Sequence, residues 1–201
     1  MNIRIAALIF LLVAQASFAQ DYRMSAKTAA TERAAMVKTL ERGKSMKGSR
    51  EQYQHLPQVF AIALASASET PEQALARTGD GGAQLVETKG RLVLYRSAGT
   101  GPASLGRAGK ASVYPTVVNA RTGTLGVLTG TLIVKPKNMA DADAIAGSHG
   151  LETARAYPQL QTVFYRARAG VDLADVSAAL QADPRIESAY PEIVEHVRAP
   201  K

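Results

Sequence analysis

The chain has 201 residues, of which 46% are hydrophobic and 20% charged, with 24 Lys and Arg against 17 Asp and Glu and no cysteine. That balance excludes a wholly disordered chain and a disulfide-stapled scaffold, and it supports one moderate hydrophobic core or two small ones. The net charge of +7 raises nucleic acid as a partner. The basic residues are scattered without interleaved stacking aromatics, however, so a generally solvated basic surface and no nucleic-acid partner are expected.

The chain opens with "MNIRIAALIFLLVAQASFA", a positive charge at Arg4, an apolar run over 5–14 and small residues Ser17 and Ala19. This is the layout of a cleavable secretory signal. The run is shorter than the roughly 20 residues that span a bilayer, so export to the periplasm or medium is expected, with no membrane association after cleavage. The remainder divides into a helical arm over 20–82, a β-rich extension over 83–129 and a C-terminal domain over 130–201.

Within the arm, "SAKTAATERAAMVKTLERGK" predicts an exposed helix or a partly ordered arm, with a weak apolar stripe through Ala29, Ala30, Arg33, Ala34, Val37 and Leu40, stopped by Gly43. "VFAIALASA" is short and apolar, and periodicity leaves it open between strand and helix. "PEQALAR" predicts a short helix with Thr70 as its cap and Pro71 in its first position, ending before Gly79. Two alternating runs around Lys89-Gly90 predict a hairpin. The loop "AGTGPASLGRAGKAS" lacks the Gly-Lys-Ser/Thr ending and strand-to-helix setting of a phosphate loop, and reads as a linker. Strands are predicted over 113–118, 124–128 and 130–135, with turns at "NARTG" and at Thr129-Gly130.

The last seventy residues carry the clearest pattern. "GTLIVKPK" reads as a strand, and "NMADADAIAGSHG" as a helix capped by Asn138 and ended by Gly150. "LETARAY" and "QTVFYRARA" read as strands around Pro158. "VDLADVSAALQAD" reads as a helix capped by Asp172, with Leu173, Val176 and Leu180 at helical spacing, and "RIESAY" as a closing strand. The order βαββαβ predicts an α+β fold, a ferredoxin-like antiparallel sheet with two helices on one face and the other face free.

The segment "LIVKPKNMADADAIAGSHGLETARAYPQLQTVFYRARAGVDLADVSAALQADPRIESAYPE" resembles the propeptide domains of subtilisin-like serine proteases. The resemblance rests on the strand ending at Lys135, the helix into "HGLE", the "VFYRAR" strand and the "AALQADPRIESAYPE" helix, Asp-Pro turn and closing strand. It covers about 130–196. With the sequence stopping at Lys201, it implies a stand-alone inhibitor and external chaperone whose partner is a subtilisin-like serine protease. In such proteins the outer sheet face lies on protease helices and the tail enters the substrate cleft. The resemblance therefore assigns Glu195, His196, Val197, Arg198, Ala199, Pro200 and Lys201 to the cleft, with Lys201 just before the scissile position. Glu187, Tyr190 and Glu192 fall to contacts on the protease surface.

Competing classes have less support. His55, His149 and His196 lie far apart without cysteine partners, so no metal is expected, and no sequence pattern calls for a cofactor. There is no "GxSxG" nucleophile turn, so no enzyme is expected. A periplasmic ferredoxin-like module that binds a small ligand or the envelope, without a protease partner, remains the alternative.

Overall fold

The computed structural model describes residues 31–79, 82–97, 113–168 and 171–196. It separates into two compact units, Met1–Leu40 and Glu41–Lys201. In the first, residues 31–39 form helix α1, and Val37 and Leu40 of the predicted stripe are buried.

The second unit is built on one nine-stranded, mostly antiparallel sheet with few helices. Strand β1 (Ser45–Lys47) pairs with β2 (Gln52–Ala63), which contains most of the ambiguous apolar run. Val59, Phe60, Ala61 and Ile62 are all fully buried. A strand covered on both faces loses its period of two, which is why periodicity could not separate it from a helix. Pro57 falls where the register between β2 and the later strand β5 (Val113–Asn119) shifts, between His55 and Phe60. A residue without an amide hydrogen is tolerated at such a break in the ladder.

Helix α2 (Pro71–Ala76) forms as predicted. Thr70 accepts from the Gln73 amide, and the Gln73 side chain accepts from the Thr70 amide, a reciprocal capping box. The Tyr95 hydroxyl donates to the Pro71 carbonyl at 2.5 Å, and Ala74 packs with Phe60, Ile62, Val93 and Tyr95 in a small core. The predicted hairpin is β3 (Gln84–Lys89) and β4 (Leu92–Arg96), and β4 returns alongside β2. The Gly-rich linker lies outside the described residues.

Strand β5 ends in an Asx turn: Asn119 Oδ1 accepts from the amides of Arg121 and Thr122 at 3.0 and 3.1 Å. The chain then enters β6 (Leu125–Pro136), where the structure corrects the sequence reading. No chain reversal occurs at Thr129-Gly130. Both flanks of that dipeptide pair with β9 (Ile186–Val194), Leu128 with Ile193 and Leu132 with Pro191, so Thr129, Gly130 and Thr131 oppose Glu192 alone. Gly130, at φ +85°, provides the left-handed residue of this bulge. The glycine signal was real, but it bends a strand rather than ending one.

Beyond the bulge, the chain makes a 3-10 turn (Met139–Asp141), helix α3 (Ala142–Ser148), strands β7 (Leu151–Tyr157) and β8 (Thr162–Ala167), helix α4 (Leu173–Ala182) and β9. The single helix expected from Asn138 is thus divided. Asn138 Oδ1 accepts from the Ala140 amide and caps the 3-10 turn, and the α-helix starts at Ala142. The closing strand runs past the expected Tyr190 to Val194. Across this part of the sheet the order is β9-β6-β8-β7, each neighbour antiparallel. Leu132, Val134, Val163, Tyr165 and Ala189 form its buried face, packed with Ile145 of α3 and Leu173 and Leu180 of α4.

The turn from α4 into β9 is held by charge. Asp183 accepts from the Arg185 amide at 2.9 Å, from Arg185 Nη2 at 2.6 Å, and from His149 Nε2, at the end of α3, at 3.0 Å. The Arg185 guanidinium first, then His149, hold the Asp183 carboxyl well below the usual carboxylate range. A depressed carboxyl contributes stability that is complete above its unfolded value and is lost as pH falls toward its folded value. In acid titrations followed by circular dichroism, Asp183→Asn should therefore flatten the loss of stability below about pH 4. An unchanged acid limb would show that this contact does not couple to folding.

Candidate functional site at the end of the closing strand

The opposite face of the C-terminal part of the sheet has a different character. Ile133 of β6 stands in register with Tyr190 of β9 on one side and Phe164 of β8 on the other, and Phe164 stands beside Arg155 of β7. Ile133, Phe164 and Tyr190 are half-buried. The Tyr157 ring meets Phe164 edge-on at 5.6 Å, and Arg155 donates to the Tyr157 hydroxyl at 2.9 Å. Strand alternation produces this row: Leu132 and Val134 point to the helices, so Ile133 points away from them. At the Tyr190 end, the turn residues Gly48 and Ser49, together with Tyr53, border a shallow cleft of about 170 Å³ that includes Ile133 and Tyr190.

Three carboxylates were singled out from the sequence, and each has a defined setting. Glu187 is exposed on β9 and lies 3.5 Å from Lys135 Nζ. Glu192, at the bulge, accepts from Thr129 Oγ1 at 2.5 Å. Glu195 follows the last residue of β9, and both its backbone and its side chain are held. The Lys89 ammonium donates to its carbonyl at 2.8 Å, and Asn119 Nδ2 donates to its carboxylate at 3.0 Å. His196 is exposed. Val197, Arg198, Ala199, Pro200 and Lys201 lie outside the described residues.

The structure adds partners that sequence reasoning missed. Lys89 is only 8% exposed, and its ammonium also lies 3.3 Å from Glu87. Tyr53 is buried as well, and its phenol is raised above its ordinary pKa first by burial and then by the Glu195 carboxylate. Gly126 lets β9 pass closely, since a Cβ there would stand 2.5 Å from Ile193 Cγ2. Lys89 was legible only as a hairpin residue and Asn119 only as a turn former. A lysine on β3 meets a residue beyond β9 only because the path β3-β4-β2-β5-β6-β9 curls, and no local pattern reports that.

Fold and site define an α+β protein with a mostly antiparallel, many-stranded sheet and few helices, whose closing strand ends in a polar anchor. The chain belongs to the Open reading frame 2 N-terminal domain family, whose model matches residues 13–200. It has a distant similarity to a chain in the crystal structure of Aeromonas sobria serine protease (ASP) and the chaperone (ORF2) complex. The TM-score is 0.36 with 21% identity, over 45% of this chain and 93% of that one. A search of curated proteins finds no match.

Proposed function

We propose that this protein is an exported chaperone and inhibitor of a subtilisin-like serine protease. Its contacts would be the outer face of a ferredoxin-like βαββαβ unit and the segment from Glu195 to Lys201. The observation that carries the reading is the row Tyr190, Ile133, Phe164 on the sheet face opposite the helices, which begins on β9, the strand that leads into that segment. A half-buried apolar row that includes two aromatic rings, Tyr190 and Phe164, fits the centre of a protein interface, where aromatic side chains are enriched. Family membership adds support, because the chaperone of the Aeromonas complex is named ORF2, as the family is. So does the resemblance of 130–196 to subtilisin propeptides.

Two physical consequences follow. A tail that adds a strand at the edge of the cleft gains main-chain hydrogen bonds irrespective of sequence, while side-chain pockets select among tails. A partner that binds only the folded protease stabilises it by RT ln(1 + [L]/Kd), about 2.7 kcal/mol at a hundredfold excess over Kd. If the same contacts form in the folding transition state, folding is also accelerated.

The test is refolding of a denatured subtilisin-like serine protease from the source genome, prepared without a propeptide of its own. With the full chain present, the yield of folded, inhibited protease should rise several-fold over the protease alone. Equal yields with and without the chain, together with undiminished protease activity, would overturn the reading.

A further inference from the structure

We propose that Lys89 and Asn119 form a clamp that sets the direction in which the chain leaves β9, and so positions the segment beyond it. The inference rests on the tail-in-cleft reading above for its functional consequence, but the clamp itself is a property of the free protein.

The two donors come from separate parts of the sheet. Lys89 ends β3 and Asn119 ends β5, and they hold one residue at two points: the lysine takes the Glu195 carbonyl and the asparagine its carboxylate. Neither contact is needed to close the β6-β9 ladder, which ends with the pairing of Val127 and Val194. A lysine that is 8% exposed has lost most of its hydration, and among the described residues its ammonium is held by Glu87 and the Glu195 carbonyl. Desolvating an ammonium to hold a backbone oxygen just past the end of a strand is costly for mere strand pairing. It is explained by a need to fix the exit of the chain.

Asn119 is itself immobilised, because its Oδ1 accepts from Arg121 and Thr122, which leaves Nδ2 aimed at Glu195. Arg121 is in turn tied to Glu51. A tail that leaves a fixed point in a fixed direction loses less freedom on entering a cleft than one that swings from a loose end. Lys89 and Asn119 are thus positioning residues. They give the N-terminal strands a part in inhibition although they lie far in sequence from the segment that binds.

The absence of cysteine allows a clean test. A nitroxide placed by His196→Cys reports motion next to the clamp in the full chain. Lys89→Met and Asn119→Asp should each convert a restricted spectrum to a fast one. The second variant keeps the oxygen that the turn requires and removes the amide donor. Combining Asn119→Asp with Glu195→Gln returns a donor to the pair with the roles exchanged, and should restore restriction.

In parallel, Lys89→Met and Asn119→Asp, without the label, should weaken inhibition of the protease about tenfold or more, with melting temperatures recorded alongside. An unchanged nitroxide spectrum in Lys89→Met and Asn119→Asp would overturn the clamp. Increased motion with unchanged inhibition would overturn its positioning role. The spectra are read without any protease, so failure of the protease reading leaves the clamp still decided.

Discussion

Deleting residues 197–201 should weaken inhibition of a subtilisin-like protease by about a hundredfold or more, while the unfolding transition of the chain stays in place. The size follows from strand addition. Two or three main-chain hydrogen bonds at about 1 kcal/mol each, with the side-chain pocket that accompanies them, amount to at least 2.7 kcal/mol, which is about a hundredfold in Kd. The fold should not respond. The last pairing of β9 is Val127 with Val194, and the truncated chain keeps Glu195 with its contacts to Lys89 and Asn119. Inhibition constants from progress curves, set beside urea melts of both chains, make the comparison. Equal inhibition by the truncated chain would remove the tail from the mechanism.

The largest expected effect on stability lies at Tyr165. Its side chain is fully buried between α3 and the sheet, and its hydroxyl donates to the Ala142 carbonyl at 2.8 Å, tying the first turn of the helix to β8. Tyr165→Ala removes a ring from a packed interior and should cost about 3–5 kcal/mol, a large share of the total stability of a domain this size. Tyr165→Phe removes only the hydroxyl and should cost about 0.5–1.5 kcal/mol. Burial pushes the Tyr165 phenol up to about 12. A group with a raised folded value contributes stability that is complete below its unfolded value and is lost as pH rises through the folded one. Tyr165→Phe should therefore also blunt alkaline unfolding between about pH 10 and 12. Urea denaturation at neutral pH checks the first pair of values. A cost for Tyr165→Ala no larger than that for Tyr165→Phe would show that the core does not depend on the ring.

What the sequence disclosed followed from how local each cause was. Thr70 with Gln73 and Asp172 with Ala174 cap their helices through groups two or three residues apart, and both helices lie where their caps predict. The order of elements from β6 to β9 was legible for the same reason, because each has its own period and its own stop. Three features depended on distant chain. β2 hid its identity by being buried on both faces. Thr129-Gly130 reads as a turn until β9 is laid along both of its flanks. The Lys89 contact needs the sheet to curl through six strands before its ammonium has anything to hold. Of the predicted site, the structure places Glu187, Tyr190, Glu192, Glu195 and His196 along or just beyond one strand, which sequence adjacency alone would give. That Glu195 is anchored from β3 and β5 is the part no window of sequence contains.

Amide hydrogen exchange of the full chain, alone and with the subtilisin-like protease, tests the central proposal most directly. Binding through the tail and the open sheet face predicts strong new protection over residues 195–201 and slower exchange around Tyr190, with α3 and α4 unchanged. Protection confined to the helices or to α2 and β3, with residues 195–201 exchanging as fast as in the free protein, would contradict it.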